Sequence, residues 1–227
     1  MHLLVPILLV LALVFGPGVW VRMVMSRYSE PANRYKGTGG ELARHLLDHN
    51  ELQHVKVEET PSGDHYDPVK KVIRLTPDKL NGRSLTAVTV AAHEVGHALQ
   101  DAAGYAPLKV RTRLVMMTQP AQRLGAGILM AAPVIGVVTR APLVSVLMIL
   151  GGLMSLGATT LVHFVTLPTE LDASFKRALP LLERSKILKP VDLPHARKLL
   201  RAAALTYLSA SLASLLNIAR WWALLRR

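Results

Sequence analysis

The stretch His93-Glu94-Val95-Gly96-His97 constrains the fold of this chain more than any other. Histidines four apart lie on one face of a helix, close enough for both imidazoles to reach a single ion. The glutamate after the first stands beside that ion and not on it. The chain must therefore build a helix here and bring a second segment to it, because two imidazoles leave a metal short of ligands. The local sequence agrees. Ser84 can cap a helix in which Leu85, Val88, Ala92, Val95 and Leu99 recur at three and four, which predicts a helix over 84–100. Gly96 costs such a helix about 1 kcal/mol relative to alanine, so another segment is expected to approach closely at that turn. Burying two histidines and a glutamate with nothing to coordinate would be expensive.

The returning segment is sought among the acids. Leu167-Pro168-Thr169-Glu170-Leu171-Asp172-Ala173-Ser174 combines a proline with acidic residues, the pattern of a helix beginning at Pro168. Glu170 is the candidate third ligand. Asp172 is the alternative, since residues two apart do not share a helical face. The expected centre is one Zn2+ per chain on His93, His97 and Glu170. Glu94 would be the general base that takes a proton from water and returns it to a leaving amine. The turn Asp64-His65-Tyr66-Asp67-Pro68 either sets His65 or Tyr66 over the metal as a catalytic oxyanion donor or is an Asx-type turn closing a hairpin; the residues alone leave both open. Tyr207 is a further donor candidate. His45 and His49 also stand four apart, but without an intervening glutamate they read as surface residues, and His163 reads as interfacial.

Of the residues, 51% are hydrophobic and they gather into long runs. Leu3–Val21, Leu124–Thr139, Ala141–Val165 and Ala202–Ala219 read as three to four transmembrane helices, the middle two as a hairpin and the last, ending at Trp221 and Trp222, as either a span or an interfacial helix. The first run has no basic lead and no small-residue cleavage pattern, so it is expected to stay as an anchor. The net charge of +12 is spread among acids with no basic run interleaved with aromatics, which argues against nucleic acid. Segments 26–120 and 167–201 hold 13 and 8 of the 27 Lys and Arg, and the positive-inside rule would put them in the cytoplasm. No cysteine is present, so disulfide and thiolate chemistry are excluded.

The expected fold is a mainly α membrane protein with the metal-motif helix and a small antiparallel sheet or hairpin. Its parts are an anchor at 1–25, a zinc peptidase region at 26–120, a helical hairpin at 121–166, the segment with the third ligand at 167–201, and a C-terminal transmembrane or interfacial helix at 202–227. Ser26–Gly40 reads as a linker, Glu41–Leu52 as a short amphipathic helix capped by Thr38, and Val55–Glu59 and Lys71–Leu75 as paired strands. The partners expected are a polypeptide substrate, itself a membrane protein, the lipid bilayer, and further membrane proteins or a second copy of the chain. The location expected is a membrane, multi-pass, with the active site facing the cytoplasm. The competing reading is a non-catalytic membrane scaffold tied together by zinc.

Four stretches together resemble a known family: Asp64-His65-Tyr66-Asp67-Pro68; Ala91-Ala92-His93-Glu94-Val95-Gly96-His97-Ala98-Leu99-Gln100; Gly104-Tyr105-Ala106-Pro107-Leu108; and Leu167 to Ser174. The combination is similar to the neutral zinc metallopeptidases of bacterial membranes, the YugP-like family, over nearly the whole chain. The resemblance implies a zincin-like domain with a glutamate as third ligand, here Glu170, and the bacterial inner membrane as its location. Membrane peptidases with a Glu-x-x-Ala-Asp second motif carry an aspartate where this chain has Ser174. Support for the zinc histidines is then expected from Asp172 or Asp101.

Overall fold

The computed structural model describes residues 4–140 and 142–206. The chain divides into two compact units. One is formed by residues 17–109 and 167–206, and the other by 1–16, 110–166 and 207–227.

The first unit carries His93, His97, Glu170, Glu94, His65 and Tyr66. The helix α1 (Leu4–Arg27) enters it at Pro17, and its last turns bury Val21 and Val24 in the core, with Trp20, Met25 and Tyr28 packed alongside. The following stretch was read as a linker, but it is pinned. Tyr35 is buried, its amide donates to the Arg83 carbonyl at 3.0 Å, and Gly39 N–H donates to Gly82 O at 2.9 Å. The helix α2 (Gly39–His49) starts with a reciprocal cap in which Thr38 accepts from the Glu41 amide and Glu41 accepts from the Thr38 amide. Its apolar face, Leu42, Ala43, Leu46 and Leu47, is buried against the metal-motif helix, α4 (Leu85–Ala102), which is capped by Ser84 as expected. Between them comes the short helix α3 (Pro77–Leu80).

The sheet differs from the expected antiparallel pair. Its strands are β1 (Lys56–Glu59), β2 (His65–Asp67) and β3 (Val72–Leu75), in the order β1-β3-β2. β1 pairs with β3 in parallel, Lys56 opposite Val72, and β2 pairs with β3 antiparallel, Tyr66 opposite Ile73. The segment read as one broad turn contains β2, because two reversals lie within it. The second is an Asx turn, in which the Asp67 carboxylate accepts from the amides of Val69 and Lys70, both at 3.0 Å. Two reversals return β3 in the direction of β1, so the pairing is parallel.

The second unit is built on α5 (Ala106–Thr139) and α6 (Pro142–Leu171). Among the described residues, no helix is long and apolar enough to cross a membrane. This overturns the expected three to four transmembrane helices. With them falls the expectation of a multi-pass inner-membrane protein with a cytoplasm-facing site. Apolar runs along a sequence do not distinguish core from lipid: the end of the first run packs in a protein core, α5 opens with Lys109, Arg111 and Arg113, and α6 ends in the buried Thr169 and Glu170. The fold is mainly helical with a small mixed sheet. Met117, Leu124, Val138, Leu143 and Met154 stay largely exposed on this unit, an apolar load of the kind that marks an interaction surface. The fourth run, with Tyr207, Trp221 and Trp222, lies outside the described residues apart from its start, residues 202–206, which are helical.

No helix begins at Pro168. The proline sits inside α6, and the departure from α geometry comes later, as a π-helical stretch at Asp172–Ala178 that runs into α7 (Leu179–Arg184). A 3-10 turn at Pro190–Asp192 and a helix over 193–206 complete the unit. The Asp192 side chain is buried, and it accepts from the Arg34 guanidinium and, at 2.5 Å, from the Tyr35 hydroxyl, tying the early loop to this late turn.

Candidate metal centre

Helix α4 presents His93 and His97 from successive turns, and the end of α6 brings Glu170 to them. Glu170 Oε2 lies 3.2 Å from His93 Nε2 and 3.3 Å from His97 Nε2. Their candidate ligand atoms all fall within 4.8 Å of one another, and among the described residues no other such group exists. All three side chains are buried. The approach is close because position 96 is glycine: a Cβ there would stand 2.6 Å from the Ala173 carbonyl oxygen. The expectation drawn from Gly96 holds, and the approaching segment is the π-helical stretch directly after Glu170.

The outward nitrogens of both imidazoles are engaged, and their partners fix the protons. His93 Nδ1 lies 3.1 Å from Ser174 Oγ, which itself lies 3.1 Å from the Leu200 carbonyl. The carbonyl can only accept, so the serine proton goes there, and Ser174 must accept the Nδ1 proton of His93. His97 Nδ1 lies 2.9 Å from Gln100 Oε1, and Gln100 Nε2 donates at 2.8 Å to both the Thr169 carbonyl and Asp172 Oδ2. Turning the amide over would set its oxygen against two acceptors, so its orientation is forced and His97 must donate. Both rings thus carry a proton on Nδ1, and in the neutral tautomer each Nε2 lone pair faces the Glu170 carboxylate. Three lone-pair donors converging in a buried place repel one another unless a cation sits among them. Two imidazoles and one carboxylate are a set that suits zinc, and it is one donor short of a tetrahedron, as catalytic sites are.

The remaining expected residues have other surroundings. Glu94 is buried on the same turn as His93 but is not in the ligand group. The Tyr66 hydroxyl, pushed well above its ordinary range by burial and by Asp101, donates to Asp101 Oδ2 at 2.7 Å. Its single proton is spent there. Asp101 also takes the Lys71 ammonium, so it fastens the sheet to the end of α4 and not to His93 or His97. His65 Nδ1 lies 2.8 Å from the Gly63 carbonyl, and its Nε2 faces Arg74 at 3.5 Å. His45 and His49 are exposed and stacked, with ring centres 6.4 Å apart. Gln100 and Arg177 escaped the sequence reading. Gln100 could have been found as a polar residue three after His97 and seven after His93, on the same face of α4, whereas nothing in the sequence marks Arg177.

Comparison with known proteins meets this geometry. Residues 3–226 match the model of a family described as "Putative neutral zinc metallopeptidase". The chain belongs to this family. One relative, "Putative membrane protease YugP" of Bacillus subtilis (strain 168), is 32% identical over 213 residues, covering 93% of this chain and 91% of the relative. No solved structure matches the chain. The family's name gives the metal and the class of reaction that the three converging donors accommodate.

Proposed function

We propose that this chain is a zinc-dependent endopeptidase in which His93, His97 and Glu170 hold the ion and Glu94 moves the proton. The observation that carries the reading is the convergence of two tautomer-fixed imidazoles and Glu170, with a further buried carboxylate, Glu94, left outside the ligand group. A zinc ion held there supplies Lewis acidity toward a water and a scissile carbonyl. Glu94 accepts a proton from the attacking water as its oxygen bonds to the acyl carbon. The same carboxyl then gives that proton to the amide nitrogen as the C–N bond breaks, so the products are a carboxylic acid and an amine, which ionise to carboxylate and ammonium, and Glu94 returns to its starting state. Burial of His93, His97 and Glu170 keeps the donors from wandering between ligation and solvent.

The test is Glu94→Gln. Glutamine keeps the shape of the side chain but neither takes nor returns a proton. The variant should retain zinc by metal analysis and melt like the wild type, while peptide hydrolysis falls by about 10² to 10⁴. Denatured proteins and membrane-protein fragments are the substrates to use, the latter because the Bacillus relative is named a membrane protease. Unreduced turnover by Glu94→Gln refutes the mechanism. Zinc uptake by a wild type inert toward every substrate turns the reading to the scaffold.

A further inference from the structure

The π-helical stretch after Glu170 has a consequence for the metal site. Its i→i+5 hydrogen-bond repeat sets residues five apart over one another, which an α-helix does not do. Asp172 and Arg177 are five apart, and Arg177 Nε donates to Asp172 Oδ2 at 2.9 Å. Arg177 is fixed in turn by donating to the Leu99 carbonyl at 3.0 Å and by lying over the Tyr105 ring, 5.7 Å from its centre. Asp172 Oδ2 therefore meets Gln100 Nε2 in a set place, and Gln100 has only its oxygen left for His97. Asp172 Oδ2 takes donors from both Arg177 Nε and Gln100 Nε2, so it serves as an acceptor.

We infer that Gln100 is the positioning residue of His97, held by the Asp172–Arg177 pair that the π-helical turn makes possible. The chain runs from Arg177 through Asp172 and Gln100 to His97 Nδ1, and its outcome is a single tautomer and ring orientation. Both zinc histidines then rest on uncharged oxygens, Ser174 Oγ and Gln100 Oε1. On the outward side of His97 a carboxylate, that of Asp172, stands one hydrogen bond further out, beyond Gln100, and is paired with Arg177. A carboxylate directly on the imidazole would raise its basicity. An amide orients the ring without that added charge. This inference rests on the zinc reading above and adds the residue that sets one of its ligands.

The experiment measures zinc affinity of the full chain by competition with a chelating dye, the visible spectrum of the Co(II)-loaded protein, and melting of the metal-free protein. Gln100→Leu should bind zinc about 10 to 100-fold more weakly and shift the cobalt bands. Gln100→Glu should also bind weakly, since its carboxylate meets that of Asp172 with no proton between them. The double variant Gln100→Glu with Asp172→Asn restores an acceptor toward His97 and a donor toward position 100, and leaves only the Thr169 carbonyl without the donor it has in the wild type. It should recover affinity to within about 10-fold of wild type. That recovery separates positioning from mere packing, even if Gln100→Leu folds poorly. Wild-type affinity and cobalt bands in Gln100→Leu, or a double variant as weak as Gln100→Glu, overturn the inference and leave the peptidase reading standing. A wild-type chain that takes up no zinc overturns both.

Discussion

Replacing Gly96 by alanine isolates one contact of the metal centre. Two terms of opposite sign act. Alanine is better than glycine inside a helix by about 1 kcal/mol, which alone would stabilise α4. The added Cβ would stand 2.6 Å from the Ala173 oxygen and 3.2 Å from its carbonyl carbon. Both neighbours are backbone, Ala173 is fully buried, and no flexible side chain can move aside. Overpacking of this kind typically costs about 1 to 3 kcal/mol, and a contact between two helical backbones belongs at the upper end. The net loss should be about 1 to 2 kcal/mol, a fall in Tm of several degrees for a unit of this size. Ala173 lies between Asp172 and Ser174, whose side chains support His97 through Gln100 and His93 directly. The displacement should therefore weaken zinc binding beyond what the stability loss explains. Melting of the metal-free protein reads the first effect, and chelator competition in the folded protein reads the second. A Gly96→Ala protein that melts at or above wild type with unchanged affinity would refute the close-approach argument, because the propensity term would then be acting alone.

Further outcomes follow from other contacts. Glu170→Ala should lose most bound zinc while the metal-free protein stays folded; full occupancy by metal analysis would remove Glu170 from the ligand set. Asp192→Ala strands the Arg34 guanidinium and the Tyr35 hydroxyl and should cost about 3 to 5 kcal/mol in denaturant unfolding. The Arg34 hydrogen bonds hold the Asp192 carboxyl below its ordinary range, so its stabilisation is present above the unfolded carboxylate pKa and is lost as pH falls through the lower folded value. Asp192→Asn should accordingly flatten the acid limb of the stability profile, and an unchanged limb would show that the pair carries none of it. Thr38→Ala removes one half of the capping box of α2 and should cost about 1 kcal/mol by the same unfolding assay.

What could be read from the sequence was local. The cap at Ser84, the α4 repeat and the meaning of Gly96 all depend on residues within a few turns of one another, where helical geometry leaves little choice. The sheet was less legible because β1 and β3 show the same alternation whether they pair parallel or antiparallel. Only the two reversals around β2 decide, and the second depends on Asp67 capping its own turn. Pro168 misled for a related reason. Proline is at home at a helix start, but here the helix passes through it and the break is postponed to Asp172. The apolar runs were the largest error. Val21, which ends the first run, is as hydrophobic as a lipid-facing residue and fills a protein core instead, as does Val24 just beyond it.

The π-helical turn explains why the site was only partly legible. An α-helical reading from Glu170 places Ser174 one turn on, correctly on the His93 side, but it turns Arg177 away from Asp172. Without that pair, Asp172 reads as a spare ligand or as a direct partner of a zinc histidine, and Gln100 as one more buried polar residue. With the i→i+5 geometry, the same residues become an ordered sequence of donors and acceptors ending on one imidazole nitrogen. The extra width of the turn also sets the Ala173 carbonyl against α4, where any side chain larger than hydrogen is excluded. Glycine at 96 and the π-helical turn at 172 are thus two sides of one contact, and neither has a reason to be there without the other.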